Sequence, residues 1–134
     1  MNENTSLFRL IHPSFIQPDG TVMSGAFNPS KNHHYQLSVY DGDQIDPKPA
    51  WEHFTQTQKL QATGVLAVTG ADCESKNLAY RPDPQAFPEH VLIDLDCLAG
   101  SKESLTNKER KKKAMKLRDK ATQRSWLFQT SSQA

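Results

Sequence analysis

A predicted buried strand is followed directly by the start of a predicted helix in Val65-Leu66-Ala67-Val68-Thr69-Gly70-Ala71-Asp72. The four apolar residues have the length and composition of a buried strand. Thr69 and Asp72 have the spacing of a capping box, in which each side chain accepts from the other residue's backbone N–H. We therefore expect a short helix over residues 71–77 that buries Cys73. A strand that passes directly into a helix is typical of mixed α and β folds.

Further strand patterns lie on both sides of this unit. Residues 7–11 predict a strand that Pro13 stops from continuing, residues 35–40 alternate between polar and apolar side chains, and residues 91–95 predict another strand. The segment 81–88 between them contains three prolines, which exclude a helix. Residues 125–129 predict a terminal strand that docks on the sheet.

Two more helices are indicated by their first residues. Asp46 precedes Pro47, so its carboxylate is placed to cap a helix whose first position tolerates proline. Thr106 and Glu109 form a second capping box, followed by about 18 residues of helix that span about 27 Å.

The elements together predict a fold class. Four to six strands interleave with about three helices, the last of them long and basic, which favours an α+β fold with a largely antiparallel sheet. A chain of 134 residues fits a single domain. We assign residues 1–129 to that domain and expect residues 130–134 to be a frayed tail.

Charge is distributed unevenly along the chain. The net charge is +1, but residues 106–124 hold nine basic and two acidic residues and so carry +7, leaving −6 on the remainder. Clustered lysines neutralise phosphates or acidic protein surfaces, so the sequence predicts binding of a protein or nucleic-acid partner through the last helix. The predicted contact residues are Lys108, Arg110, Lys111, Lys112, Lys113 and Lys116. A solvated helix face that complements the chain's own acidic remainder is the alternative.

Composition indicates a cytoplasmic protein without a membrane segment. The mean hydropathy is −0.70, and no apolar run is long enough to span a bilayer. The first residues lack the basic start and apolar run of a secretory signal. Cys73 and Cys97 are the only cysteines, and in this context we expect them to be reduced.

Two histidines stand next to predicted strands and raise the possibility of acid–base chemistry. His12 follows the first strand and His90 precedes a later one. If these strands are neighbours, one imidazole acts as the base and the other as the acid, which is the arrangement of a metal-independent ribonuclease. The alternative is that both histidines hydrogen-bond to loop carbonyls.

The sequence predicts no metal site. His33 and His34 are adjacent, so in an extended segment their side chains point apart. A calcium loop that starts at Asp41 would have Glu52 at its twelfth position, but it would lack the glycine required at its sixth.

Several motifs resemble those of a group of small bacterial proteins. The residues in question are Arg9-Leu10-Ile11-His12-Pro13, Ser24-Gly25-Ala26-Phe27-Asn28-Pro29, Leu37-Ser38-Val39-Tyr40-Asp41-Gly42-Asp43 and Phe87-Pro88-Glu89-His90-Val91. The resemblance covers residues 7–129 and implies a bacterial source but no particular activity.

A second resemblance is to the RES-type toxins, which consume NAD on a fold related to ADP-ribosyltransferases. Arg9, the turn at residues 25–29, Tyr40 and Glu52 follow the order of that family's motifs. The chain has Ala26 and Phe27 where the family has arginine and tryptophan. This resemblance implies NAD as the consumed cofactor and a cleft that holds Arg9, Tyr40 and Glu52.

Two functional hypotheses follow from the sequence. The first is a small cytoplasmic interaction or regulatory module of a bacterial operon, which binds its partner through the basic helix and needs no cofactor. The alternative is a toxin-like enzyme, either an NAD-consuming protein or a ribonuclease that uses His12 and His90.

Overall fold

An antiparallel sheet of six strands forms the centre of the structure, a computed structural model that describes residues 1–130. The strands are β1 (Ser6–Ile11), β2 (Gln36–Asp41), β3 (Gly64–Thr69), β4 (Tyr80–Pro82), β5 (His90–Asp94) and β6 (Phe128–Gln129). Their order across the sheet is β4-β5-β2-β1-β3-β6, and each neighbouring pair is antiparallel. The sheet is open at both edges, and the predicted α+β class is confirmed.

Three α-helices cover the sheet. They are α1 (Pro47–Glu52), which continues as a π-helical turn (His53–Thr57), α2 (Gly70–Ser75) and α3 (Asn107–Gln123). Both predicted capping boxes are present, at Thr69 and at Thr106. The prediction for α1 was wrong in one respect. Asp46 holds the N-cap position, but its carboxylate makes no capping hydrogen bond.

Apolar side chains are buried on both faces of the sheet. On the α3 face, Leu66 and Val68 of β3 pack in one cluster with Leu117 of α3. On the opposite face, which we call the α1 face, Val65 and Ala67 pack in a second cluster beside α1. Because successive strand residues point to opposite faces, burial on both sides explains the uninterrupted apolar run in β3.

The end of the chain is tied to the sheet as far as the structure describes it. β6 pairs with β3, and the backbone N–H of Thr130 donates to the carbonyl oxygen of Thr63 at 2.8 Å. The rest of the predicted tail, residues 131–134, lies outside the described residues. Cys73 is buried, Cys97 is half-buried, and neither forms a disulfide. Between residues 1 and 130, no helix has the length and apolar character needed to cross a membrane.

Candidate functional site

Three side chains on the α1 face form a continuous hydrogen-bonded chain. His90 Nε2 lies 3.0 Å from the Ser38 hydroxyl oxygen, and His90 Nδ1 lies 2.9 Å from Asp83 Oδ2. A carboxylate only accepts hydrogen bonds, so in the neutral imidazole Nδ1 carries the proton and Nε2 accepts from the Ser38 hydroxyl. This connectivity of serine, imidazole and carboxylate is the one that activates a serine as a nucleophile.

The sheet register brings Ser38 to His90. His90 opens β5 opposite Tyr40 of β2, and Ser38 lies two residues along β2. Residues two apart in a strand share a face, so the Ser38 and His90 side chains are diagonal neighbours on the α1 face. Ser38 is exposed, whereas His90 is only 7% exposed, so solvent reaches the hydroxyl and not the imidazole; the Asp83 side chain at the other end is 36% exposed.

A proline-rich loop holds Asp83 against the imidazole. The backbone N–H of Asp83 donates to the His90 carbonyl oxygen at 2.8 Å, and the N–H of His90 donates to the Phe87 carbonyl oxygen at 3.0 Å. Pro82 and Pro84 on either side of Asp83 restrict the backbone further. The loop thus fixes the carboxylate with two backbone hydrogen bonds and restricted φ angles.

Two adjoining cavities open beside Ser38. The outer one has a volume of about 470 Å³, and its wall includes Phe87, His53 and Gln58. The inner one has a volume of only about 40 Å³ and reaches between the strands to Arg9. Ser38, Gln58, Phe87 and His90 line both cavities, so the hydroxyl stands where a large and a very small space meet.

A second polar pair lies across the same pocket. The Tyr40 hydroxyl is 2.7 Å from His53 Nδ1, and the Phe87 ring packs against the rings of Tyr40, His53 and His90. Tyr40 is 3% exposed, and this burial raises the pKa of its hydroxyl, with the nearby Glu89 adding to the effect. Tyr40 therefore stays neutral at physiological pH and serves as a hydrogen-bonding group.

Arg9 approaches the pocket from the other side of the sheet. Its Nε donates to the Ala26 carbonyl oxygen at 2.7 Å, and its Nη1 donates to the Ser38 carbonyl oxygen at 3.0 Å. Burial lowers the pKa of the guanidinium to about 10, so Arg9 remains a cation at neutral pH. A fixed positive charge is thereby held beside the backbone of Ser38.

The structure brings together some of the predicted catalytic residues and separates others. Arg9, Tyr40 and His90 all line the inner cavity, whereas Glu52, at the end of α1, lines neither the inner nor the outer cavity. The cleft that the NAD-consuming family implies is therefore missing its acidic member.

His12 does not join His90. The ribonuclease hypothesis depends on their strands being neighbours, and this condition is not met, because β2 lies between β1 and β5. Two strand spacings alone separate the strands by about 10 Å. His12 Nδ1 instead accepts from the backbone N–H of Ser14 at 3.0 Å, which caps a short 3-10 turn. The histidine pair of the ribonuclease hypothesis is thus not assembled.

Sequence reasoning missed Ser38, Asp83 and His53. Ser38 sits in the middle of a strand without a nucleophile-elbow motif, and His53 lies one residue beyond the expected acid at position 52. Of the three, only Asp83 could have been found from the sequence. It lies seven residues before His90 and between two prolines, which restrict the loop that holds its carboxylate.

The basic helix contributes a separate charged surface. We define the basic surface as the exposed side chains of Lys108, Lys111, Lys112 and Lys116, which surround the exposed Met115. Within residues 1–130, no carboxylate lies within ion-pair distance of these four ammonium groups. These four ammonium groups therefore form no direct ion pair with an acidic residue in the described part of the chain.

Two of the residues predicted for this surface lie elsewhere. Arg110 is 3% exposed, with its guanidinium 3.5 Å from the centre of the Tyr35 ring, so its assignment as a partner-binding residue was wrong. The helix turns this position toward the core together with Ala114, Leu117 and Ala121. Lys113 is half-buried, and its ammonium donates to the Lys76 carbonyl oxygen at 3.0 Å.

Other features of the described residues carry less chemistry. A groove of about 410 Å³ on the α3 face is lined by Leu66, Arg118 and Trp126 among others, but none of its lining residues is a histidine, cysteine or acid. No three side chains of histidine, cysteine or acidic residues converge into a metal site within residues 1–130.

Comparisons with protein-family models, with curated proteins and with solved structures found no match to this chain.

Proposed function

We propose that the chain is an enzyme that hydrolyses carboxylic esters or thioesters, with Ser38 as the nucleophile. The observation that carries the proposal is the hydrogen-bonded chain from the exposed Ser38 hydroxyl through His90 to Asp83. His90 is the general base, and Asp83 holds the tautomer that leaves Nε2 free to take the proton.

The first half of the reaction forms an acyl-enzyme. Ser38 Oγ attacks the carbonyl carbon while its proton passes to His90 Nε2, and the carbonyl oxygen becomes an oxyanion. The intermediate collapses, the bond to the leaving oxygen or sulfur breaks, and the leaving group takes the proton from Nε2. Asp83 stabilises the imidazolium that exists between these two transfers.

The second half releases the acid. A water molecule gives a proton to His90 Nε2 as its oxygen attacks the acyl carbon of the ester on Ser38. When this intermediate collapses, Ser38 Oγ leaves and recovers the proton from Nε2. The net reaction consumes one ester and one water and yields one acid and one alcohol or thiol.

Covalent labelling tests this proposal without knowledge of the natural substrate. A fluorophosphonate probe is expected to add its phosphonyl group to Ser38, which peptide mass spectrometry locates. His90→Gln is expected to slow labelling by about 10²–10⁴-fold, the range typical of a lost general base. Ser14→Ala is the matched control, because Ser14 is also exposed but lies outside the pocket. Native protein that is not labelled at Ser38, or is labelled equally fast after His90→Gln, would refute it.

The two enzyme hypotheses drawn from the sequence are less well supported. The NAD-consuming enzyme requires Glu52 in the cleft with Arg9 and Tyr40, and Glu52 does not line it. The ribonuclease requires His12 beside His90, and a strand lies between theirs.

Binding of an acidic partner through the basic surface is the second candidate function. Its support is specific: four exposed lysines on one helix face have no acidic partner among the described residues. Such a surface binds phosphates or carboxylates by charge, with an affinity that falls as salt rises.

Charge reversal tests the second function. Lys111→Glu with Lys112→Glu is expected to weaken binding of an RNA or of an acidic peptide and to flatten its salt dependence. Lys31→Glu with Lys102→Glu is the control, because it makes the same charge change at exposed positions off the helix. Fluorescence anisotropy against ionic strength measures both, and equal weakening by the two pairs would exclude a role specific to this surface.

A further inference from the structure

The strands β1 and β2 separate next to Ser38. Their ladder contains only the pairs Leu7 with Asp41 and Phe8 with Tyr40, whereas β1 pairs with β3 over six residues. Beyond Phe8 and Tyr40 the two strands form no further residue pairs. We call this opening the fork, and the inner cavity of about 40 Å³ reaches into it.

Arg9 fills the fork without using all of its donors. Nε and Nη1 donate to the carbonyl oxygens of Ala26 and Ser38, which fixes the plane of the guanidinium. No group in the described part of the chain accepts a hydrogen bond from Nη2. Arg9 also lines the inner cavity together with Ser38. The guanidinium of Arg9 is therefore a rigidly held cationic donor in the wall of the inner cavity, which Ser38 also lines.

The backbone N–H of Ser38 points into the same opening. In an antiparallel strand, the N–H and C=O of one residue point toward the same neighbour, and the direction alternates along the strand. The N–H of Asp41 donates to Glu89 on the β5 side, and that of Gly42 donates to Ser6 on the β1 side. The backbone N–H and C=O of even-numbered residues in β2 thus point toward β1. At Ser38 the pairing between β1 and β2 has already ended, so this N–H points into the fork.

We infer that the fork is the oxyanion site of the proposed reaction, where Arg9 Nη2 and the Ser38 backbone N–H donate to the carbonyl oxygen as it becomes negative. The inference rests on the proposed hydrolase function and assigns Arg9 a catalytic role in it. Both donors are fixed by the sheet before substrate arrives, which is the condition under which such donors lower a barrier most.

The two cavities also divide the substrate between them. The carbonyl oxygen lies in the inner cavity of about 40 Å³, between the two donors, and the acyl and leaving groups lie in the outer cavity of about 470 Å³. One nucleophilic serine with two donors to a single oxygen fits carboxylic esters or thioesters.

Kinetics of a chromogenic ester test the role of Arg9. With p-nitrophenyl butyrate as substrate, Arg9→Gln is expected to lower kcat by about 10²–10³-fold with little change in KM, because the donor acts only on the developing oxyanion. Arg81→Gln is the matched control, since Arg81 is exposed on β4 and outside both cavities. Phenylboronic acid, which forms a tetrahedral anion on an active serine, should lose affinity for Arg9→Gln by a similar factor.

Further variants separate catalysis from folding. Arg9→Lys keeps the cation and is expected to recover part of kcat, and added guanidinium ion should raise the rate of Arg9→Ala. Unfolding curves of each variant show whether the fold survives. If Arg9→Gln and Arg9→Ala do not fold, kcat and boronate affinity are measured on Arg9→Lys.

The outcomes distinguish this inference from the function on which it rests. If wild-type Ser38 is not labelled by the fluorophosphonate, both fail. If Ser38 is labelled but Arg9→Gln or Arg9→Lys leaves kcat and boronate affinity unchanged, only the oxyanion role of Arg9 fails. Hydrolysis of p-nitrophenyl phosphate by the wild type at a rate similar to that of the butyrate ester would overturn the substrate class.

Discussion

Replacement of Arg110 by methionine is expected to destabilise the fold severely, although the residue lies within a run of surface lysines. Its guanidinium is 3% exposed and donates to the carbonyl oxygens of Leu95 and Leu105 and to the Asn107 side chain, each at 2.9 Å. It also lies over the Tyr35 ring. Arg110 thereby joins the start of α3 to the segment that follows β5.

The magnitude follows from these contacts. Methionine fills a similar volume but leaves two buried carbonyl oxygens without donors, at a cost of about 1–3 kcal/mol each. Loss of the cation over the Tyr35 ring adds about 1 kcal/mol. We therefore expect Arg110→Met to lose about 3–7 kcal/mol of the free energy of unfolding. That is a large share of the 5–15 kcal/mol typical of a whole protein.

Urea denaturation followed by circular dichroism measures the effect. With a urea dependence of about 2 kcal/mol/M, the midpoint should fall by about 1.5–3.5 M. Lys112→Met is the matched control, because Lys112 lies on the exposed side of the same helix and should change stability by no more than about 0.5 kcal/mol. A loss below about 1 kcal/mol for Arg110→Met, or equal losses for both variants, would show that this side chain does not join the two segments.

Three further outcomes concern other parts of the fold. Burial disfavours ionisation of Asp72, but hydrogen bonds from Arg124 and from the Thr69 backbone outweigh it and lower the pKa of the carboxyl. Asp72→Asn should therefore lose about 2 kcal/mol at pH 7 by urea denaturation, and its deficit should shrink as the pH falls below about 4; a constant deficit would contradict this. Burial raises the pKa of the Cys73 thiol to about 12, so a disulfide reagent at pH 8 should modify Cys73 only after unfolding, and rapid modification of the native protein would exclude this burial. A Cβ at Gly64 would lie 2.7 Å from the Phe128 carbonyl oxygen, so Gly64→Ala should cost about 1–3 kcal/mol and remove hydrogen-exchange protection from β6, whereas retained protection would show that the strand tolerates the methyl group.

The sequence predicted elements wherever local chemistry determines them. The capping boxes at Thr69 and Thr106 were readable because both partners lie within four residues of each other. The strand at residues 65–68 was readable because burial on both faces leaves no polar position. Asp46 shows the limit of such reasoning. A suitable residue occupied the N-cap, yet its carboxylate made no hydrogen bond there.

Residues that act at long range were harder to predict. The alignment of Ser38 with His90 depends on the register between β2 and β5, which are separated by about fifty residues of chain, and no local pattern encodes that register. The same lack of pairing information left open whether the strands next to His12 and His90 are neighbours. Asp83 and His90 are seven residues apart, and only the fold of the loop between them gives the acid its role.

Arg110 shows why charge along the sequence is not charge on the surface. A basic residue in a lysine run reads as part of the exposed face, but its position on the helix coincides with that of Ala114 and Leu117. Helical periodicity places Arg110 on the same side of the helix as these two apolar residues. Its burial without an acidic partner required the carbonyl oxygens of Leu95 and Leu105 as acceptors, which the sequence does not reveal.

The lengths of the two outermost strands bear on how the protein avoids self-association. A sheet edge offers unpaired backbone groups to any passing extended chain, and long flat edges promote amyloid growth. Here one edge is β4, three residues long and ended by Pro82, which has no N–H to offer, and the other is the two-residue β6. Neither provides enough consecutive donors and acceptors to template a foreign strand. The central ladders can therefore be long and apolar without making the assembled sheet a seed for aggregation.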